Sequence, residues 1–358
     1  MSSRDPLIAH VGPDPRSRGG VAHAVEIFAA LTSDAYDAIV IPSIGAMRGP
    51  WRWLLFPVAL ARIAALGTRR RPTLVHLHVA SRGSFYRKSS CATLCRTLRI
   101  PYVTHIHGGG FVQFSQSGNP RRLESVKRML RGASAVCALS EAWAGALELL
   151  SGRTDVFVLP NPVDVPISES SGLGGLHVVF AGHLVHHKGI DVLAAALRQL
   201  GDSGARFRVT VAGEGPLKSL LEMGGFGGVD VECVGWLDRP QLDELLGSAS
   251  IFVLPSRIEG VPLALLEAMS HGLACVATRV GGVGDVITDG ATGLLVEADD
   301  PSALAAALDR LLQDVALRRS VGAGAREHVR SIHSLDAVRA RLFSVYETIG
   351  FCSARVVS

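Results

Sequence analysis

Two kinds of run alternate along the chain. The first kind is apolar throughout and rich in Val, Ile and Leu, at residues 7–11, 38–41, 74–77, 102–106, 135–138 and 156–159. It returns at 176–181, 206–212, 229–234, 251–254, 274–277 and 293–296. Short runs that do not alternate with polar residues predict strands buried on both faces, as in a parallel sheet. The second kind is Ala- and Leu-rich with helical spacing, at 22–31, 122–131, 140–150, 190–200, 241–246, 262–271 and 301–313. Strand, helix, strand, helix predicts a doubly wound α/β chain.

The alternation breaks once, at residues 161–175. The segment reads NPVDVPISESSGLGG, which is linker composition. It predicts an N-terminal Rossmann-like domain over 1–165 and a second over 172–333, and 358 residues suit two domains better than one core. Ligands of such sheets bind outside the carboxyl ends of the strands. Two such domains facing each other would enclose a cleft with the linker as its hinge.

Composition narrows the classes. The net charge of +4 is too small for a nucleic-acid signature, and none is expected as a partner. Six cysteines form no C-x-x-C pair, which suits reduced thiols in a cytoplasmic protein. The first strand begins too early to leave room for a signal peptide. The longest apolar stretch, 53–66, is cut by Pro57 and Arg62 and is too short to span a bilayer. Arg48, Arg52, Arg62, Arg69, Arg70, Arg71, Arg82, Arg87 and Lys88 cluster near Trp51, Trp53, Leu54, Leu55 and Phe56. The expected location is therefore cytoplasmic, with peripheral contact at the inner face of the membrane.

Chemistry concentrates in PSRIEGVPLALLEAMSHG, residues 255–272. Pro262 is expected at the first helical position and Gly272 at the helix end. The helix N-terminus then projects from a strand's carboxyl end as an anion site suited to a diphosphate. Glu259 and Glu267 are eight residues apart. As two helical turns, roughly 12 Å of rise, they would face one side and suit sugar hydroxyls and ribose hydroxyls. A bare pair at that spacing is equally a solvated helix face, but Glu267 lies in the apolar LALLEAM, where an unpartnered carboxylate is costly.

In VVFAGHLVHHKGIDV, residues 178–192, a strand runs into a loop carrying His183, His186, His187 and Lys188. Lys188 would project where a leaving diphosphate needs positive charge. Gly19 and Gly20 after the first strand let backbone approach a phosphate. In HIHGGG at 105–110 the two histidines alternate, and His107, nearer the glycines, is favoured to face the ligand. Gly213 in VAGEGP and Trp236–Leu237 after another strand suit a nucleobase, or simply a turn and core. No Asp-x-Asp clasp or His-E-x-x-His set is present, so no metal is expected. The absence of G-x-G-x-x-G after the first strand, of a P-loop and of G-x-S-x-G argues against dehydrogenases, P-loop NTPases and α/β-hydrolases.

These pieces together resemble the retaining GT-B glycosyltransferases of family GT4, also called glycosyl transferases group 1. The resemblance rests on Gly19-Gly20, HIHGG, ALSEAW (138–143), LPNPVD (159–164), FAGHLVHHKG (180–189), VAGEGP, VGWLD (234–238), residues 255–272 and DGATGLLV (289–296), in order along the chain. It implies two Rossmann-like domains, with a final helix at about 334–358 packing back on the first. It implies retention of configuration, no cofactor, and a nucleotide diphosphate sugar (UDP or GDP) held mainly by the second domain. Lys188 and His183 would meet the diphosphate, Glu267 the ribose, Glu259 the donor sugar, and Gly260, Val261, Pro262 and Leu263 sugar and phosphate. His107 would approach the transferred sugar. HLHVASRGSFYRKS, residues 76–89, is similar to the acceptor side of exopolysaccharide and lipopolysaccharide enzymes, whose acceptors include glycans and polyprenyl-diphosphate-linked sugars. His183 stands where the family usually has Arg, a permanent bidentate phosphate clamp. The alternatives are a nucleotide-sugar 2-epimerase or phosphorylase of the same fold, or a non-catalytic sugar-nucleotide-binding protein.

Overall fold

The computed structural model describes residues 6–46, 49–68, 71–167 and 176–352. Arg48, Arg69, Arg70, linker residues 168–175 and the last residues, 353–358, lie outside these. The chain divides into a unit of residues 1–162 with 335–358 and a unit of residues 163–334.

The first unit runs β1 (Leu7–Gly12), α1 (Gly20–Ser33), β2 (Asp37–Pro42), α2 (Leu55–Leu66), β3 (Thr73–Val79), α3 (Gly83–Thr97), β4 (Tyr102–Ile106), α4 (Phe111–Gln116), α5 (Pro120–Arg131), β5 (Ala135–Ala138), α6 (Glu141–Ser151) and β6 (Val156–Val158). The second runs β7 (His177–Ala181), α7 (Ile190–Asp202), β8 (Phe207–Ala212), α8 (Ser219–Glu222), β9 (Val229–Gly235), α9 (Arg239–Ser248), β10 (Ile251–Leu254), α10 (Leu263–Ser270), β11 (Ala274–Thr278), α11 (Val283–Val286), β12 (Leu294–Val296), α12 (Pro301–Gln313) and α13 (Val315–Ile332). Then α14 (Leu335–Thr348) returns to the first unit, burying Val338, Leu342, Val345 and Tyr346.

Each unit has one six-stranded sheet, ordered β2-β1-β3-β4-β5-β6 and β12-β11-β10-β7-β8-β9, and every pairing is parallel. The apolar runs are thus explained: β1, β3, β4, β7, β10 and β11 are buried along their whole length, whereas edge strand β9 alternates buried and exposed positions. In both sheets the connections leave the first strand on one side and return on the other. The strand order therefore reverses between β1 and β3, and between β7 and β10. Those are the points where a doubly wound sheet opens a crevice at its carboxyl edge.

Register concentrates an unusual core at the first of these points. His10 pairs with His76 across β1 and β3, and His78 with His105 across β3 and β4. With His107 they form five buried imidazoles, packed around Phe28. Burial lowers all five pKa values, to about 3 for His10 and His107 and well below the usual range for the others.

The sign of the linkage is fixed by those directions. An unfolded histidine binds a proton near pH 6.5, and these do not while folded, so unfolding takes up protons below that pH. Stability is full above about pH 6.5 and is lost as pH falls toward the folded values, by about 1.4 kcal/mol per pH unit for each histidine. Urea unfolding midpoints between about pH 7 and 5 should therefore fall with a slope of several protons. A midpoint flat over that range would contradict neutral, buried imidazoles.

Candidate functional site

In the second unit the loops after β7 and β10 meet across the reversal point. After β7 the chain passes Gly182 and His183, makes a 3-10 turn at His186–Lys188 and enters α7 through Gly189. Gly189 is left-handed, at φ +69, and a Cβ there would lie 1.9 Å from the Pro255 carbonyl oxygen. Only glycine lets the two loops approach this closely. The approach brings Lys188 Nζ to 2.5 Å from Glu259 Oε1, and Ser256 Oγ donates to the same oxygen at 2.6 Å. Glu259 is 8 % exposed, so its charge depends on that lysine and hydroxyl.

Two further connections fix this pair. Arg257 makes a two-pronged contact with Asp191 at 2.8 and 2.7 Å, a third with Asp299 at 2.6 Å and a fourth with the His186 carbonyl. The guanidinium holds the Asp191 carboxyl below its ordinary range. From the loop after β11, Gly281 lies with φ +53 where a Cβ would meet the Glu259 carbonyl at 1.9 Å, and Gly282 N–H donates to the Gly260 carbonyl at 2.9 Å. The Glu259–Gly260 backbone is thus clamped between loops from three strands.

Glu259 and Glu267 do not share a helix. Pro262 has extended backbone (ψ 124) and is the N-cap, one residue before the expected place, so α10 starts at Leu263; Glu259, expected just before the helix, lies in the loop. The helical spacing of the two carboxylates therefore fails. What survives is the helix end: no side chain caps α10, and its first turn points N–H groups past Gly260, Val261 and Pro262. Glu267, in the second turn, is 8 % exposed and ion-paired with Arg239 at the start of α9. That arginine carries no sequence signal, because its partner is 28 residues away.

The glycines after β8 have a backbone reason of their own. A Cβ on Gly213 would lie 1.8 Å from the Gly182 carbonyl, and one on Gly215 2.2 Å from that of Leu184. Trp236 and Leu237 are half-buried, and the Trp236 ring lies 5.3 Å from that of His183. His187 has its pKa lowered by burial and by Lys188, so it adds no cation near neutral pH.

In the first unit, Gly19 (φ +133) is the N-cap of α1, without a side-chain cap, and Gly20 is the first helical residue. His107 is 7 % exposed. The expectation that His105 and His107 point in different directions is corrected: positions i and i+2 of an extended chain share a face, and the two rings pack with centroids 4.1 Å apart. Ring nitrogens of His10, His76 and His78, and of His78, His105 and His107, lie within 4.8 Å of one another. The nitrogens that face each other hydrogen-bond, His10 to His78 at 3.0 Å and His78 to His107 at 2.9 Å. Nearby, Lys88 is fully buried with Nζ 2.6 Å from Ser43 Oγ, and burial lowers its pKa to about 7. Sequence reading passed over His10, Ser256, Arg239 and Arg257, and it grouped Lys88 with a basic surface although the side chain is buried. Only His10 had a legible signal, since three of the first four strand runs carry histidine near their carboxyl ends.

Residues 17–166 match the model for Glycosyltransferase Family 4, and residues 175–314 the model for Glycosyl transferases group 1. D-inositol 3-phosphate glycosyltransferase of Arthrobacter sp. (strain FB24) is 32% identical over 352 residues, 86% of this chain and 81% of that one. WcaL of Salmonella typhimurium, named a colanic acid biosynthesis glycosyltransferase, is 29% identical over 62% of this chain. The match spans 59% of that relative's own length. Sucrose-phosphate synthase from Thermosynechococcus elongatus shares the fold, with a TM-score of 0.79 at 21% identity over 97% of this chain and 99% of its own. Anabaena HepE in complex with UDP-glucose gives a TM-score of 0.75 at 16% identity over 96% and 99%. These neighbours agree with the GT-B fold class, two α/β units each built on a six-stranded parallel sheet. Both units match in sequence order, and one relative aligns along most of both chains, so this protein belongs to the group 1, or family 4, glycosyltransferases.

Proposed function

We propose that the chain is a retaining glycosyltransferase that needs no metal or other cofactor. It moves a hexose-type sugar from a nucleotide diphosphate sugar to a glycan or lipid-linked sugar in surface polysaccharide synthesis. The observation that carries this reading is the Lys188–Glu259 pair, held at the strand-order reversal beside the uncapped N-terminus of α10. A cation and a row of N–H groups suit the charge that grows on a departing diphosphate. A carboxylate braced by Ser256 suits sugar hydroxyls, and Glu267 braced by Arg239 suits the ribose. Gly260, Val261, Pro262 and Leu263 supply backbone around sugar and phosphate, with Trp236, Leu237 and Gly213 beside the base. His183 is exposed and takes the place of a phosphate-binding arginine. Gly19 and Gly20 are assigned to the donor, where their backbone can approach a phosphate, and His107 to the transferred sugar. The UDP-glucose held by HepE favours UDP as the first base to test. An epimerase would act without acceptor, and a binding protein would release nothing.

Exposed aromatic, apolar and basic side chains on the first unit support the lipid-linked part of this reading. Trp51, Trp53, Leu54 and Val58 are exposed by 50 to 65%, and Arg87 stacks its guanidinium 5.0 Å from the Trp53 ring centre. Between Asp37 and Glu124 the chain carries 13 Arg and Lys and no acid at all, although Lys88 is buried and so does not belong to that surface. Aromatic and basic groups together fit an anionic lipid surface from the cytoplasmic side. No helix among the described residues is long and apolar enough to cross a membrane.

Four outcomes are expected. Nucleoside diphosphate should be released from one UDP- or GDP-sugar only when a bacterial polyprenyl-diphosphate-sugar extract is present, and EDTA should not slow it. Lys188→Ala and Glu259→Gln should each lower kcat by about 10²–10³. Binding without release from any donor, with or without extract, would instead favour a sensor. His183→Arg should raise activity most above about pH 7, where an ordinary imidazole has lost its proton; an identical pH profile would remove His183 from the diphosphate. On vesicles, the protein should sediment with phosphatidylglycerol but not phosphatidylcholine, and Trp51→Ser with Trp53→Ser should abolish this. Equal binding to both lipids would end the electrostatic part of the reading.

A further inference from the structure

The buried histidines of the first unit form a directed chain. Thr32 Oγ1 lies 2.7 Å from the Phe28 carbonyl oxygen, which can only accept, so the hydroxyl proton points there. The same Oγ1 is 2.9 Å from His10 Nε2. With its proton already committed, Thr32 accepts, and His10 carries its proton on Nε2. His10 Nδ1 is then bare and accepts from His78 Nε2 at 3.0 Å. His78 Nδ1 is bare in turn and accepts from His107 Nε2 at 2.9 Å. One helix carbonyl thus determines the state of an imidazole four hydrogen bonds away.

The neighbouring rings agree with this polarity. His105 Nε2 is 3.0 Å from the Leu159 carbonyl, so it too carries the proton there, and its Nδ1, which has no partner, is a bare lone pair. Tyr346 Oη lies 2.8 Å from His76 Nδ1. A proton on that Nδ1 is donated to the tyrosine oxygen and leaves bare the one His76 nitrogen without a partner, Nε2. A buried bare lone pair costs less than a buried N–H with nothing to meet. The reverse polarity would set two bare oxygens 2.7 Å apart at Thr32.

We propose that Thr32, acting through His10 and His78, is a positioning residue that holds His107 as its Nε2–H tautomer, with Nδ1 as a hydrogen-bond acceptor. The Asn161 side chain hydrogen-bonds this ring, and the bare Nδ1 calls for the amide N–H rather than its oxygen. The consequence for chemistry rests on the assignment of His107 to the transferred sugar. Its Nε2–H is committed to His78 and its Nδ1 to Asn161, so His107 does not serve as a general acid, and a sugar hydroxyl reaches Nδ1 only by displacing the Asn161 amide. Burial keeps all five rings uncharged, and Lys88 disfavours charge on His107 further.

The test reads the tautomer without reference to turnover. Long-range 1H–15N correlation on histidine-labelled protein distinguishes Nδ1–H, Nε2–H and imidazolium, and single His→Gln variants assign the rings. Expected are Nε2–H patterns for His10, His78 and His107 and an Nδ1–H pattern for His76. Thr32→Val should mix the His107 tautomers and lower kcat several-fold with little change in KM, while Thr32→Ser should restore both. An Nδ1–H or imidazolium pattern at His107 in the unaltered protein overturns the proposal. So does a His107 pattern that Thr32→Val leaves unchanged. Loss of the single tautomer with kcat unaltered overturns the positioning role alone, and it also removes His107 from the transferred sugar.

Discussion

In a parallel sheet every strand ends at the same edge, and the chain must cross over to begin the next one. Each sheet here is wholly parallel, so each presents its loops together at one carboxyl edge. Where the crossovers change side, two neighbouring strands send their loops in opposite directions and leave a crevice between them. The Lys188–Glu259 pair and the buried histidines stand at these two places. Neither could be assembled by antiparallel strands, whose ends alternate.

The two reversal points manage polarity in opposite ways. In the second unit, charge is kept and paired: Lys188 with Glu259, Arg239 with Glu267, Arg257 with Asp191 and Asp299. Pairs of this kind can exchange partners when an anion arrives, because the cation gains as good a partner as it gives up. In the first unit, charge is excluded. Five imidazoles stay neutral, and order comes from the direction of hydrogen bonds, which a ring with one donor and one acceptor must pass on. A site that swaps ions and a site that fixes a direction suit different tasks, and the division of the chain keeps them in separate units.

Much of the fold was legible because strand burial leaves an unmistakable trace. Twelve apolar runs become twelve strands, most within a residue or two. Helices were less legible where their surface is mixed. α3, with Arg87, Lys88 and three Ser in GSFYRKSSCATLCRT, and α13, with polar residues around much of its girth, show no clean apolar stripe. α2 exposes apolar residues on a basic surface, so its sequence read as a lipid-facing stretch before it read as a helix.

At the site, the sequence disclosed what local chemistry dictates and withheld what depends on distance. Pro, Gly and Glu in one short segment mark the α10 entrance, though the proline stands one residue outside the helix, as its N-cap. Arg239 and Arg257 were invisible because their partners lie far off along the chain, in other elements and loops. Glycines carry a second reading. Gly213 suits a nucleobase or a turn, and at Gly213 and Gly215 neighbouring carbonyls about 2 Å from where a side chain would begin already require glycine. The same closeness is what lets the loops after β7, β8, β10 and β11 meet. Glycine here serves the ligand indirectly, by letting backbones touch so that Lys188 and Glu259 are held in place before anything binds.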